Sequence, residues 1–210
     1  MDIQRDLSAV ILVGGHSRRM GRDKALLKLD RQTFIGHLAQ ELSGCREVFI
    51  ASCKERDYSD TGLRVLVDEH RDVGPMEGIR QALRHASTNH VFVCAVDMPF
   101  FRRDMVEYLA KHISPDDDAC VFRDDARVHP LCGIYSSTAL PFIEEMMAAE
   151  RHRMMELLSQ MRTKYVDIAS AGFAMQALSN INTPEDYAGL TRTLHWDQCH
   201  QLRTCLIIIA

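Results

Sequence analysis

The sequence lacks the features that mark several protein classes. Its seven cysteines are an odd number with no pair at CxxC spacing. That argues against a disulfide framework, and reduced thiols in a cytosol are expected. No run approaches the roughly 18–20 apolar residues of a membrane span; the run that closes the sequence, Leu206–Ala210, has five. Met1–Asp6 carries acidic residues and leads into a strand-like run, unlike a secretory signal. There is no excess of positive charge: 25 Lys+Arg stand against 29 Asp+Glu, a net charge of −4. A broad basic face for duplex nucleic acid is therefore not expected, although a local basic pocket is compatible with that balance. Repeats and low-complexity tracts are absent too. What remains is an ordinary globular composition, 46% hydrophobic and 26% charged over 210 residues. This is enough for one domain with a real core, and it excludes disordered, collagen-like and coiled-coil chains.

Short apolar runs alternate with helical patterns along the chain. Ala9–Val13, Glu47–Ala51, Leu63–Val67, Val91–Val96 and Ala119–Phe122 read as strands. Phe34–Leu42, Ile79–Ala86, Arg103–His112, Leu140–Ala149 and Met154–Met161 carry helical spacing. The methionines of the last segment read as core filling. Thr183 and Pro184 form the cap and first residue of a final helix, with Glu185 and Asp186 in its first turn. Continuous apolar strands alternating with helices predict an α/β fold whose sheet is covered on both faces. Residues 1–194 are expected to form one domain and 195–210 a tail. In such sheets ligands bind beyond the carboxyl ends of the strands, which directs attention to the loops after Val13, Val67 and Val96.

The first of these loops is Leu12-Val13-Gly14-Gly15-His16-Ser17-Arg18-Arg19-Met20-Gly21-Arg22-Asp23-Lys24. Two glycines at a strand end let the backbone turn sharply and approach a ligand, and exposed N–H groups there form an anion nest. Arg18, Arg19, Arg22 and Lys24 bring cations into the same loop, which suits a triphosphate. Neither common phosphate motif fits: Gly21 is followed by Arg22 where a Walker loop needs GK(S/T), and GxGxxG is absent. Glycines alone would mark a turn with a solvated basic edge. The cations clustered behind a buried strand make phosphate binding the better explanation.

With Ala25-Leu26-Leu27 completing it, this string resembles the LxGGxSxRMGxDKxLL signature of the molybdenum cofactor guanylyltransferase family. Further motifs follow in family order from about Leu7 to Leu190. Asp97-Met98-Pro99-Phe100 matches DMPF. Alone, an Asp-x-Pro is a common turn; the resemblance makes Asp97 a Mg²⁺ ligand. Gly74-Pro75-Met76-Glu77-Gly78-Ile79 is similar to GPLxGI, and the resemblance puts both it and Asp68 near the nucleotide. Glu77 stands where a small residue is expected, and a carboxylate beside a triphosphate is repulsive unless it points away. At the end of the second strand, Ser52 or Cys53 replaces the family's asparagine; Ser52 is the residue assigned to the nucleotide. His129–Tyr135 resembles (H/Q)PLxGxY, which would let His129 face the second substrate. Arg153, and after it Arg151, correspond to basic residues that hold the pterin's phosphate. Asn180-Ile181-Asn182-Thr183-Pro184-Glu185-Asp186-Tyr187 matches NINTPEDY and implies that Asn180 and Asn182 contact the pterin or complete the Mg²⁺ sphere. The tail's His195, Cys199, His200 and Cys205 fit no standard zinc spacing.

The resemblance implies a nucleotidyltransferase fold: Rossmann-like, three-layer α/β/α, with a mostly parallel mixed sheet. It implies a cytoplasmic enzyme that moves GMP from GTP to molybdopterin with Mg²⁺ as cofactor and pyrophosphate as leaving group. The nucleotide site would be Leu12, Val13, Gly14, Gly15, Lys24, Ser52, Asp68 and Asp97, and the catalytic set Arg19, Lys24 and Asp97. Partners would be the two substrates and the molybdoenzyme apo-proteins or their chaperones, with no nucleic acid and no membrane, in a monomer or weak oligomer. A cytidylyltransferase of the same fold and a non-catalytic nucleotide or pterin carrier are the alternatives.

Overall fold

The apolar runs assemble into a seven-stranded sheet in a computed structural model that describes residues 1–14, 24–29, 32–53, 57–70 and 73–190. The chain begins with α1 (Ile3–Asp6) and β1 (Leu7–Val13). A 3-10 turn (Lys24–Leu26) leads to β2 (Lys28–Leu29), β3 (Gln32–Thr33), α2 (Phe34–Leu42), β4 (Val48–Ser52) and β5 (Arg64–Val67). Then come α3 (Pro75–His85), β6 (His90–Ala95), α4 (Arg103–His112), β7 (Ala119–Arg123) and β8 (Val128–Ser136). The last elements are α5 (Leu140–Ala148), α6 (Met154–Gln160), β9 (Thr163–Asp167) and a helical stretch over 184–190. Gly15, Arg19 and the tail 195–210 lie outside the described residues.

Strand order is β5-β4-β1-β6-β8-β7-β9. β8 runs antiparallel to β6 and β7, and the other pairings are parallel. The period of two in β1 builds the layers. Leu7, Ala9, Ile11 and Val13 enter one core with Phe34 and Leu38 of α2 and Leu109 of α4. Val10 and Leu12 enter the other with Met76 and Ile79 of α3, Ile143 of α5 and Leu157 of α6. Helices cover both faces, so both rows of β1 are buried and the run reads as continuous rather than alternating.

Two departures from the sequence pattern bear on the site. Helix α3 begins at Pro75, four residues before its apolar spacing suggests, because proline suits the first helical position. Gly74 caps it at φ 79°, a conformation that side chains with a Cβ resist. β9, an edge strand that buries only Val166, has no apolar run to announce it. Nor does the β2–β3 hairpin, whose two-residue strands are too short for a period. The five described cysteines are free thiols. No helix among the described residues is long and apolar enough to cross a membrane.

Candidate active site

From β1 the sheet is built outward in two directions, through β4 to β5 and through β6 to the mixed half. That reversal opens a crevice at the strands' carboxyl ends. A cavity of about 330 Å³ lies there. Leu12, Val13 and Gly14 line it from β1, Ala51 and Cys53 from β4, Asp68 from β5, and Ala95, Val96 and Asp97 from β6. Gly74, Pro75 and Gly78 of α3, Leu131 of β8, Lys24 and Asn180 complete the wall. Gly78 is there because nothing larger fits: a Cβ would stand 2.7 Å from Leu12 Cδ2 and 3.1 Å from the Ala51 Cβ.

One side of the cavity carries charge. Lys24 Nζ donates to Asp97 Oδ2 at 3.1 Å and to Asn182 Oδ1 at 2.8 Å. These three residues are distant in sequence, and the backbone joins them: the Ile181 N–H donates to the Asp97 carbonyl at 2.9 Å. The segment around Ile181 is fixed by the cap of the following helix. Asp186 accepts from the N–H groups of Asn182 and Thr183, both at 2.9 Å, and its own N–H donates to Thr183 Oγ1 at 3.1 Å. Those backbone hydrogen bonds hold the Asp186 carboxyl below the usual range. Asp97 Oδ1 is buried and has no hydrogen-bond partner among the described residues. An unpaired buried acceptor costs about 1–3 kcal/mol, so it marks a place where a ligand completes the site. A bare carboxylate oxygen beside a cavity that Lys24 also lines fits a divalent cation.

The other side carries Asp68. Its N–H donates to the Ser52 carbonyl at 3.0 Å. Burial, and next the charge of Glu77, raise its carboxyl to about 6. Glu77 itself does not line the cavity and is fully buried. Burial works against its charge, yet hydrogen bonds from Arg80, Gln81 and the Glu69 N–H outweigh it and hold the carboxyl at about 2. The carboxylate that raised the prospect of repulsion is thus turned into the protein and neutralised by Arg80.

The structure gathers Leu12, Val13, Gly14, Lys24, Asp68, Asp97 and Asn180 around one cavity, with Asn182 bound to Lys24. Ser52 is buried in register between Val13 and Val67, and its neighbour Cys53 reaches the cavity instead. The four residues assigned to the pterin divide. Asn180 lines the cavity and Asn182 accepts from Lys24, whereas Arg151 and Arg153 lie in the α5–α6 connection and do not line the cavity. Arg151 pairs there with Glu156 at 2.8 Å, and Arg153 is exposed. His129 is bound to Asp124 at 2.7 Å; Leu131, two residues on, lines the cavity. Ala51, Ala95, Val96 and Leu131 carry no functional signal in the sequence because apolar residues in or next to strands look like core.

Comparison with known proteins agrees with this geometry. The MobA-like NTP transferase domain matches residues 9–165. A probable molybdenum cofactor guanylyltransferase of Carboxydothermus hydrogenoformans is 30% identical over 191 residues, covering 90% of this chain and 96% of that protein. A protein of the same name from Pelotomaculum thermopropionicum is 34% identical over 183 residues, covering 85% and 89%. The fold is shared with molybdopterin-guanine dinucleotide biosynthesis protein A from Archaeoglobus fulgidus, with TM-score 0.78, 24% identity, and coverage of 90% of this chain and 98% of that one. A cavity lined by Lys24 and Asp97 at the switch point of a mostly parallel sheet and a family match across most of the chain lead to one conclusion: this protein belongs to the MobA-like NTP transferase family and is a nucleotidyltransferase.

Proposed function

We propose that the chain transfers GMP from GTP to molybdopterin in its molybdenum-bearing form, releasing pyrophosphate and yielding the guanine dinucleotide cofactor. The observation that carries this is the Lys24–Asp97 pair at the cavity, with Asp97 Oδ1 left open. An acceptor phosphate is already anionic at neutral pH. Its oxygen forms a bond to the α-phosphorus as the bond to pyrophosphate breaks, and no general base is required. What the protein supplies is position and charge. The amides at Gly14 and Gly15 cradle phosphate oxygens, and Arg19 offsets their charge. Lys24, steered by Asp97 and Asn182, serves the α-phosphate. Asp97 would hold Mg²⁺, which when bound neutralises phosphate oxygens in the in-line transition state. Leu12, Val13 and Asp68 accept the nucleoside end. Asn180 and Asn182 face the junction of the two substrates, and Arg153 and Arg151 hold the pterin's phosphate at the outer edge. The product passes to apo-molybdoenzymes or their chaperones in the cytoplasm.

The test is pyrophosphate release with Mg²⁺ and molybdopterin, run in parallel with GTP and with CTP. Release from GTP alone is expected. Release from CTP alone would keep the mechanism and replace the base. No release from either would overturn the transferase assignment to this acceptor, as a carrier produces none.

A further inference from the structure

We infer that Glu77 is a positioning residue of the nucleotide subsite: its buried carboxylate ties the backbone that follows Asp68 to the first turn of α3, and so holds Asp68 in the cavity wall. The inference rests on the nucleotide assignment of this cavity and adds a residue to it that lines no part of the cavity itself.

The geometry is specific. Glu77 Oε1 accepts from the Glu69 N–H at 3.0 Å, from Arg80 Nη2 at 2.9 Å and from Gln81 Nε2 at 2.9 Å. Its Oε2 accepts from Arg80 Nε at 2.9 Å, and His70 Nδ1 lies 3.3 Å away. Arg80 also reaches Glu69 Oε2 at 2.6 Å, so the loop is gripped through a backbone group and through a side chain. On its other side Asp68 is held by its N–H bond to the Ser52 carbonyl at the end of β4. Asp68 is therefore suspended between β4 and α3, and α3 is itself pressed onto β1 and β4 at Gly78. Val73 packs with Met76 and Ile79 nearer the start of α3, but the backbone directly after Asp68 donates its Glu69 N–H to Glu77, and Arg80, which holds the Glu69 side chain, is itself held by Glu77.

Two other roles fit less well. Glu69, His70 and Glu77 place ligand atoms within 4.8 Å of one another. But the Arg80 guanidinium already occupies both Glu77 oxygens, which leaves a cation no open acceptor on that residue. A purely stabilising role is weakly supported, since apolar replacements of buried ion pairs are often neutral or better for stability. What an apolar residue does not provide is an acceptor for the Glu69 N–H, and this is the link to Asp68.

The experiment is a binding cycle read by calorimetry with GTP and Mg²⁺, and in parallel with CTP and Mg²⁺. The ion pair is replaced by apolar side chains, Glu77→Leu with Arg80→Met, in the wild-type and Asp68→Asn backgrounds. The replacement should weaken nucleotide binding roughly tenfold in the wild-type background and change it little once Asp68 is gone. Glu77→Gln, which keeps an acceptor for the Glu69 N–H, should restore most of the affinity. Unchanged affinity, or equal weakening in both backgrounds, would overturn the inference. If the apolar pair does not fold, Glu77→Ala, which also lacks the acceptor, takes its place: a loss of about tenfold that vanishes with Asp68→Asn supports the inference, and unchanged affinity or an equal loss in both backgrounds overturns it. Binding is read rather than transfer, so failure to make pyrophosphate with molybdopterin would sink the proposed reaction and leave this result standing.

Discussion

Asp97 and Glu77 are carboxylates on two elements that line the same cavity, and the fold treats them in opposite ways. Asp97, after β6, gives one oxygen to Lys24 and leaves the other buried without a partner. Glu77, in the first turn of α3, has both oxygens engaged by Arg80 and further donors from Gln81 and the Glu69 backbone. The difference separates function from scaffold. A saturated buried carboxylate is stable as it stands, whereas an orphaned one costs free energy until a ligand arrives. Type and burial alone would have ranked Glu77, the more buried of the two, as the stronger site candidate; the accounting of hydrogen bonds reverses that order.

Substitutions can break this contrast directly. Asp97→Ala is expected to lower turnover by about 10³-fold or more with little change in Tm. Pyrophosphate release beside a thermal melt measures both, and a fully active variant at saturating Mg²⁺ would erase the distinction. Glu77→Ala should do the reverse to stability, costing about 3 kcal/mol in denaturant unfolding, because buried Arg80 loses two of its carboxylate contacts and keeps only the one to exposed Glu69. The same carboxyl gives a pH signature. It sits at about 2 against an ordinary 4.5, so its contribution to stability is complete above about 4.5 and is lost as pH falls toward 2. Glu77→Gln should flatten that part of the acid limb. Lys24→Ala should lower kcat about 10²-fold with a smaller change in KM for GTP; a raised KM alone would move Lys24 away from the α-phosphate.

The smallest expected effect concerns Asp68. Raised from 3.8 to about 6, it has the opposite sign to Glu77: the folded state holds its proton more tightly, and ionising it costs stability as pH climbs through that window. Its charge is available to a nucleotide only above about pH 6. GTP affinity should therefore weaken below that pH in the wild type, and Asp68→Asn should remove this inflection. In Glu77→Gln the inflection should move to lower pH, since burial remains but the neighbouring charge is gone.

Much of the site was legible in the sequence because phosphate chemistry uses recognisable residues in tight spacing. Gly14 and Lys24 frame a loop rich in arginine, Asp97 follows the strongest strand after the first, and these three meet at one cavity. The exceptions have physical causes. Ser52 is the last residue of β4, buried between β1 and β5, while Cys53 follows in the loop beyond the strand; where the strand ends decides which one meets the cavity, and it is Cys53. The start of α3 was placed too late because Pro75 and Glu77 are not apolar, although one begins the helix and the other is buried in it. β9 was silent because an edge strand needs few apolar side chains.

By itself the sequence determined the α/β class, the parallel half of the sheet and the family. Each is written in local patterns: continuous apolar strands, helix caps, and glycines beside cations. Tertiary structure alone decided that Asn182 meets Lys24, that the backbone at Ile181 bonds to Asp97, that Glu77 faces Arg80 rather than the cavity, and that one oxygen of Asp97 stays open. These are contacts between segments far apart in the chain, or accounts of which donors remain for a buried acceptor, and no local spacing encodes them.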